Sequence, residues 1–483
     1  MSTLTKGEFN GFEKHLYTAS ELETKRQLRL WAFFREHHPH YAGEPSSVQK
    51  LSSIVFEKSS PKKRQLQRIL QKMEKRLENF LIGKELENAP LLKEQLLAKA
   101  FKRKDLNQRF FEEVETLKYK AAYKKKELGT LFEPEFCSIM FSVCELEYMH
   151  LATNAFSVDN QLPAQIMEYL DQYYLINKLR YCCEMMSRSR ILNEQHSIFL
   201  LTELRQSLKG HPKLHPLIAL YARLLDLYED QGNDALFDQI QGLFQFHLAS
   251  FDPVDARRIL QNLLNHCVVR INAGEMSFKK RQFSLYRLGI RAGCLFLQQE
   301  ISVGAFINIV TVAVAVKKPT WASTFIEKFQ DCLPPGQSGD ALLLAKAIEA
   351  FGQGEFNQAT DLLVQLQQDD TRFKLWYRSW WVRSEFEICL QTSSQSLHLE
   401  SFLQQFLAFL ENNKDLADHR KEAYKVYIAC VRSLHNSLFA FAEEKMRKWR
   451  QNILKKPGVI ARAWLLEKMD QMLSDHTQKR KRK

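Results

Sequence analysis

The stretch Leu343–Leu366, LLAKAIEAFGQGEFNQATDLLVQL, decides how this 483-residue chain is read. Apolar residues recur at helical spacing on both sides of Gly352-Gln353-Gly354, so the segment predicts two amphipathic helices joined by a tight turn. Ala347, Ala350 and Ala359 are small enough to let two antiparallel helices approach. Phe351 and Phe356 fill the wedge near the turn, and Gly354 relaxes the backbone there. Such pairs bury a continuous core only by stacking on one another.

Working outward, Phe306–Phe329 fits the same frame with Phe306, Ala313, Ala322 and Phe329. It puts Lys317 and Pro319 where the first pair has a glycine and an aromatic. Ala322 and Ala359 lie 37 residues apart, and the loop Leu333–Gly339 can absorb the excess over a shorter period. Tyr221–Phe244, turning at Gln231-Gly232-Asn233-Asp234, is a third pair. The spacing of Gly354, Phe356 and Ala359 resembles the tetratricopeptide repeat, which has a period of about 34 residues. The resemblance covers Leu131–Thr392 as an architecture. It implies a helical-hairpin array, or α-solenoid, suited to binding extended peptides or helices. The pattern of Phe12, His15-Leu16, a helix ending near His37, the apolar stripe Leu66–Leu81 and the terminal Ala463–Lys468 looks like a family of bacterial helical-repeat proteins of unassigned activity. That likeness implies one chain-long architecture and no chemistry.

Composition agrees with an all-α fold. Only 17 Gly and 13 Pro occur, so few turns need special backbone angles, and no stretch alternates long enough to demand a strand. Nine cysteines without a Cys-x-x-Cys motif read as buried free thiols in a reducing compartment, which places the protein in the cytoplasm. The first residues carry neither a secretion signal nor a lipidation motif. The longest apolar run, Val303–Val316, is interrupted by Asn308 and Thr311. It is too short for a membrane span, which needs about 20 residues, and reads as a buried helix.

The formal charge of +13 is concentrated rather than spread. Between Lys58 and Lys126 stand 20 Lys and Arg against 9 Asp and Glu, and the tail Lys479–Lys483 is wholly basic. Ser60 and Pro61 are suited to start a helix and Gly83 to stop it. Leu66, Ile69, Leu70, Met73, Leu77, Phe80 and Leu81 form its apolar stripe, with Arg64, Arg68, Lys72, Lys75 and Arg76 on another face. Long basic helices follow over Leu91–Lys104 and Leu106–Glu127, and Lys102, Arg103 and Lys104 add to a positive surface that suits nucleic acid, an acidic protein surface (a partner's or the chain's own repeats) or plain solvation. The segments therefore divide into an N-terminal helical module (1–85), a basic helical connector (86–130), tetratricopeptide-like repeats (131–395), C-terminal capping helices (396–478) and a disordered basic tail (479–483).

No constellation demands chemistry. Glu147 and His150 have the spacing of a di-iron helix element, but a second copy is missing. Asp415, Asp418 and His419 share a helix face without a partner segment. Gly352-Gln353-Gly354 lacks the lysine and the preceding strand of a phosphate loop. No metal or cofactor is expected. Trp376, Tyr377, Trp380 and Arg383, on one predicted helix, are either core between repeats or the anchors of a partner groove. The leading expectation is a cytoplasmic, non-enzymatic scaffold or adaptor that binds a protein partner. The alternative is a nucleic-acid-associated regulator using the basic helices 61–126, whose helix, turn and basic helix follow a helix-turn-helix order. A metal-dependent enzyme is the distant third.

Overall fold

A computed structural model describes residues 6–16, 21–37, 48–56, 63–127, 134–150, 161–191, 197–209, 215–367, 371–392, 396–414, 416–456 and 458–481. Among these residues the chain is all-α, with 22 α-helices packed largely in sequential pairs. It divides into two compact units: residues 1–127 with 135–170, and residues 128–134 with 171–483.

In the first unit, α1 (Lys6–Leu16), α2 (Glu21–His37), α3 (Val48–Phe56) and α4 (Lys63–Asn88) enclose a core of Phe12, Trp31, Val55, Leu66 and Met73. The Phe12 and Trp31 rings meet edge to face at 4.7 Å. The proposed start at Ser60-Pro61 lies outside the described residues. Gly83 does not end α4, because the helix runs on to Asn88. A single glycine costs a helix interior only about 1 kcal/mol, which the stripe from Leu66 onward outweighs. Next, α5 (Pro90–Arg103) and α6 (Asn107–Glu127) form a hairpin whose break falls where the sequence placed it, with Asp105 at φ +52°. They pack with α7 (Pro134–Tyr148) around Ala98, Phe110, Leu117 and Val143.

The boundary between the units falls inside α8 (Leu162–Ile191). The second unit continues with α9 (Leu201–Lys209), α10 (Pro216–Glu229), α11 (Asp234–His247), α12 (Pro253–Asn272) and α13 (Phe278–Arg291). Prolines at the first helical position or capping side chains set the starts of α10, α11 and α12: Asn233 accepts from the Leu236 N–H at 2.9 Å, and Asp252 from the Val254 N–H at 3.1 Å. Asp255, 1% exposed, accepts from Arg180 Nη2 and from the Tyr221 hydroxyl, both at 2.7 Å, and so ties α8, α10 and α12 together.

A two-residue antiparallel ladder, β1 (Phe296–Leu297) with β2 (Glu300–Ile301), interrupts the helices. Gln298 and Gln299 turn it with φ of +49° and +69°, and two residues a side are too few to leave an alternating pattern in the sequence.

The hairpins read in the sequence follow as α14 (Val303–Ala315) with α15 (Pro319–Phe329), and α16 (Ser338–Gln353) with α17 (Phe356–Val364). Gly354 takes φ +87° between the latter two. In the former pair Lys317 takes φ +60° at the corresponding turn, so a lysine adopts the left-handed conformation expected of glycine. α18 (Thr371–Thr392), α19 (Leu397–Asn412), α20 (Asp418–Ser437), α21 (Glu443–Lys455) and α22 (Arg462–Lys481) complete the unit. Helices α14, α16, α18, α20 and α22 also pack on one another in that order, forming one layer of the array. The basic tail is continuous with α22 as far as Lys481, and 482–483 lie outside the described residues.

Candidate functional site

The last helix, α22, returns to the middle of the array. Arg462, at the start of α22, donates through Nη1 to the carbonyl of Asn272 at the end of α12, and Lys317 Nζ reaches Glu467 Oε1 at 3.2 Å. Ala461 holds φ +53° and Gly458 φ +70° in the loop that makes this return. This return forms one side of an open cavity of about 550 Å³, walled by α12, α13, α14, α16, α17, α18 and α22.

Five basic side chains and two carboxylates line it. Glu387, 5% exposed, accepts from Trp464 Nε1 at 2.7 Å and from Lys468 Nζ at 2.8 Å. Glu467 is engaged by Lys317. Arg383 lies over the Trp380 ring with its guanidinium carbon 4.2 Å from the centroid, and donates to Ser379 Oγ at 3.2 Å. Among the described residues Lys279 makes no ion pair. Burial pushes its ammonium below its ordinary pKa, Glu467 opposes that, and Arg383 and Lys317 add to the fall. Burial also lowers Arg462, which is 4% exposed and whose Nε and Nη2 make no hydrogen bond. On the apolar side, Phe351 lies 5.2 Å from both Phe356 and Trp380, ring centre to ring centre.

The aromatic cluster singled out in the sequence is thus divided by α18. Trp380 and Arg383 face the cavity, with Trp380 itself 6% exposed. Trp376 is half-buried against the core and meets Phe373 edge to face. Tyr377 borders a separate depression with Leu397, His398 and Phe402. Lys279, Arg462 and Lys468 were not foreseen. Lys279 opens the short basic run Lys279-Lys280-Arg281 while Arg462 and Lys468 stand singly, all in ordinary helical patterns, and no spacing rule connects positions some 190 residues apart.

Of the basic residues on α4, Arg64, Arg68, Lys72 and Lys75 are exposed, whereas Arg76 is half-buried and donates to Gln27 Oε1 at 2.5 Å. Arg103 and Lys104 are exposed. Lys102 instead caps the last turn of α7 by donating to the Leu146 carbonyl at 3.0 Å, where a cation meets the negative end of the helix dipole. Glu147 pairs with Lys118 at 2.7 Å, and His150 stacks on Phe110 at 4.5 Å. Burial lowers the His150 pKa, with Lys102 adding to the effect. Asp418 and His419 are exposed at the start of α20, and Asp415 lies outside the described residues. No cluster of three His, Cys, Asp or Glu able to hold a metal occurs among the described residues.

Comparison of the chain with protein-family models, with curated proteins and with solved structures gave no match.

Proposed function

We propose that this chain is a non-enzymatic scaffold or adaptor that binds a protein partner through its helical-repeat surface. The observation that carries the reading is the depression between α18 and α19, where Tyr377 and Phe402 lie edge to face at 5.9 Å and Leu397 stands 83% exposed. An apolar side chain held out beside an aromatic pair, between consecutive helices of an array, offers an anchor to a partner's helix or extended segment. The finer likeness to tetratricopeptide repeats supports the same use, since Gly354, Phe356 and Ala359 occupy the turn and the packed positions of α16 and α17. Among the described residues no helix is long and apolar enough to cross a membrane, and with nine free thiols we place the protein in the cytoplasm. The test is quantitative cross-linking in cells, wild type against Tyr377→Ala with Leu397→Asp. A stoichiometric partner should be lost in the double variant while helicity and melting temperature hold. Equal recovery from both proteins would sink the reading.

One observation favours a second reading, contact with a nucleic-acid backbone. Arg64, Arg68 and Lys75 are exposed on the side of α4 away from its buried Leu66, Ile69 and Met73, and none makes an ion pair among the described residues. Binding of mixed DNA and RNA fragments should then weaken steeply with salt, and Arg64→Glu with Arg68→Glu should flatten the log–log slope by about 2. Retention unchanged by the double substitution would remove this reading.

A further inference from the structure

We propose that the cavity bordered by α22 binds a small organic anion, a carboxylate or phosphate carried on a flat apolar body. The charge balance is the first ground. Its two carboxylates are already engaged, Glu387 by Lys468 and Trp464, and Glu467 by Lys317. Lys279, Arg383 and Arg462 remain as three cations lining one space with no carboxylate paired to any of them. A buried charge is kept in proteins when it is paired; Arg462 is buried and Lys279 and Arg383 are half-buried beside it, so three cations with no carboxylate paired to them among the described residues point to a counter-ion that arrives from outside.

The second ground is the end of α22. This 20-residue helix presents its N-terminus to the cavity, with Arg462, Ala463 and Trp464 in the wall. First-turn N–H groups have no acceptor within their own helix, and the dipole there is positive, which favours an anion and disfavours a cation. Arg462 nevertheless sits at that position, 96% buried. Capping the α12 carbonyl of Asn272 accounts for one of its three nitrogens; Nε and Nη2 are shut off from solvent and have no acceptor among the described residues, so Arg462 acts on the cavity as a buried positive charge rather than as a donor.

The third ground is size and surface. A volume of about 550 Å³ falls in the range of small-ligand sites rather than of protein or duplex interfaces. Phe351, Phe356 and Trp380 provide an apolar wall for a planar group, with Arg383 stacked on Trp380. This site is separate from the Tyr377 and Leu397 depression, so either proposal can fail alone.

The full chain is titrated calorimetrically with naphthyl phosphate, naphthoate and the neutral naphthalenemethanol. We expect one aryl anion to bind one per chain, at least about tenfold tighter than the alcohol, and to weaken with salt. The tighter of the two tells phosphate from carboxylate. Arg462→Met should weaken binding about tenfold or more but also removes the α12 cap. Lys279→Met, which deletes a side chain without a hydrogen bond, should weaken it comparably with the fold intact. Anions that bind no better than the alcohol, or a Lys279→Met affinity equal to wild type, overturn the proposal.

Discussion

Glu387 shows how much one buried side chain can carry in the second unit. Its two oxygens satisfy the indole of Trp464 and the ammonium of Lys468, which is itself 8% exposed. Removing the carboxylate leaves a buried cation uncompensated, so Glu387→Ala should cost about 3–5 kcal/mol in urea unfolding. Adding Lys468→Met should recover much of that loss, because the pair itself is worth little against apolar packing. The thiols make a second residue-level prediction. Burial pushes Cys267 from 9.0 up to about 12, and Cys144 and Cys430 up to about 11. A thiol whose folded pKa is raised keeps its proton longer folded than unfolded. Its contribution to stability is therefore complete below about pH 9 and is lost as pH rises through 11 and 12. Urea midpoints should fall across that window, and less so in Cys267→Ala. Burial of Cys137, Cys144, Cys182, Cys183, Cys267, Cys294 and Cys389 was legible from their places on apolar faces, whereas Cys332 and Cys430, also expected to be buried, are half-buried. The partner of Glu387 was not, since 81 residues separate it from Lys468.

At the scale of elements, Gly352 and Gly83 are read alike in sequence and differ in structure. A Cβ on Gly352, in the last turn of α16, would lie 2.7 Å from both γ-carbons of Val314 on α14, and a branched side chain cannot turn both away. Gly352→Ala should therefore destabilise by about 1–3 kcal/mol. Gly83, inside α4 before its last turn, has nothing within 4 Å of that position, so Gly83→Ala should stabilise by about 0.5–1 kcal/mol. Differential scanning calorimetry of both variants should show melting shifts of opposite sign. The turn at Gly354 was legible because its φ of +87° favours glycine, whereas Lys317 fills the equivalent place at φ +60° and left no such mark. Val303–Ala315 was legible as a buried helix for the opposite reason. With Phe306, Ile309, Val310, Ala313 and Val314 all buried, its sequence is apolar on most sides.

At the scale of the molecule, separate cores should unfold separately. Trp31 belongs to the core of α1–α4, and Phe306 to that of the second unit. Trp31→Ala should cost about 3–5 kcal/mol in the first, while hydrogen exchange of α10–α18 keeps its wild-type protection. Loss of protection throughout the chain would refute that independence. What the sequence by itself determined is the all-α class, the positions of most helices, the hairpins around Gly354 and Lys317, and the basic face of α4. These follow from periodicity, turn chemistry and local charge, which act between residues a few positions apart. Only the tertiary structure decided that α22 returns to α12, that Trp380 and Arg383 face a cavity while Tyr377 faces elsewhere, and that Lys279 and Arg462 share a space whose two carboxylates are engaged by other side chains. Each of these depends on packing between residues well apart in the chain, from 20 positions for Tyr377 and Leu397 to 190 for Asn272 and Arg462, and no local pattern records such a meeting.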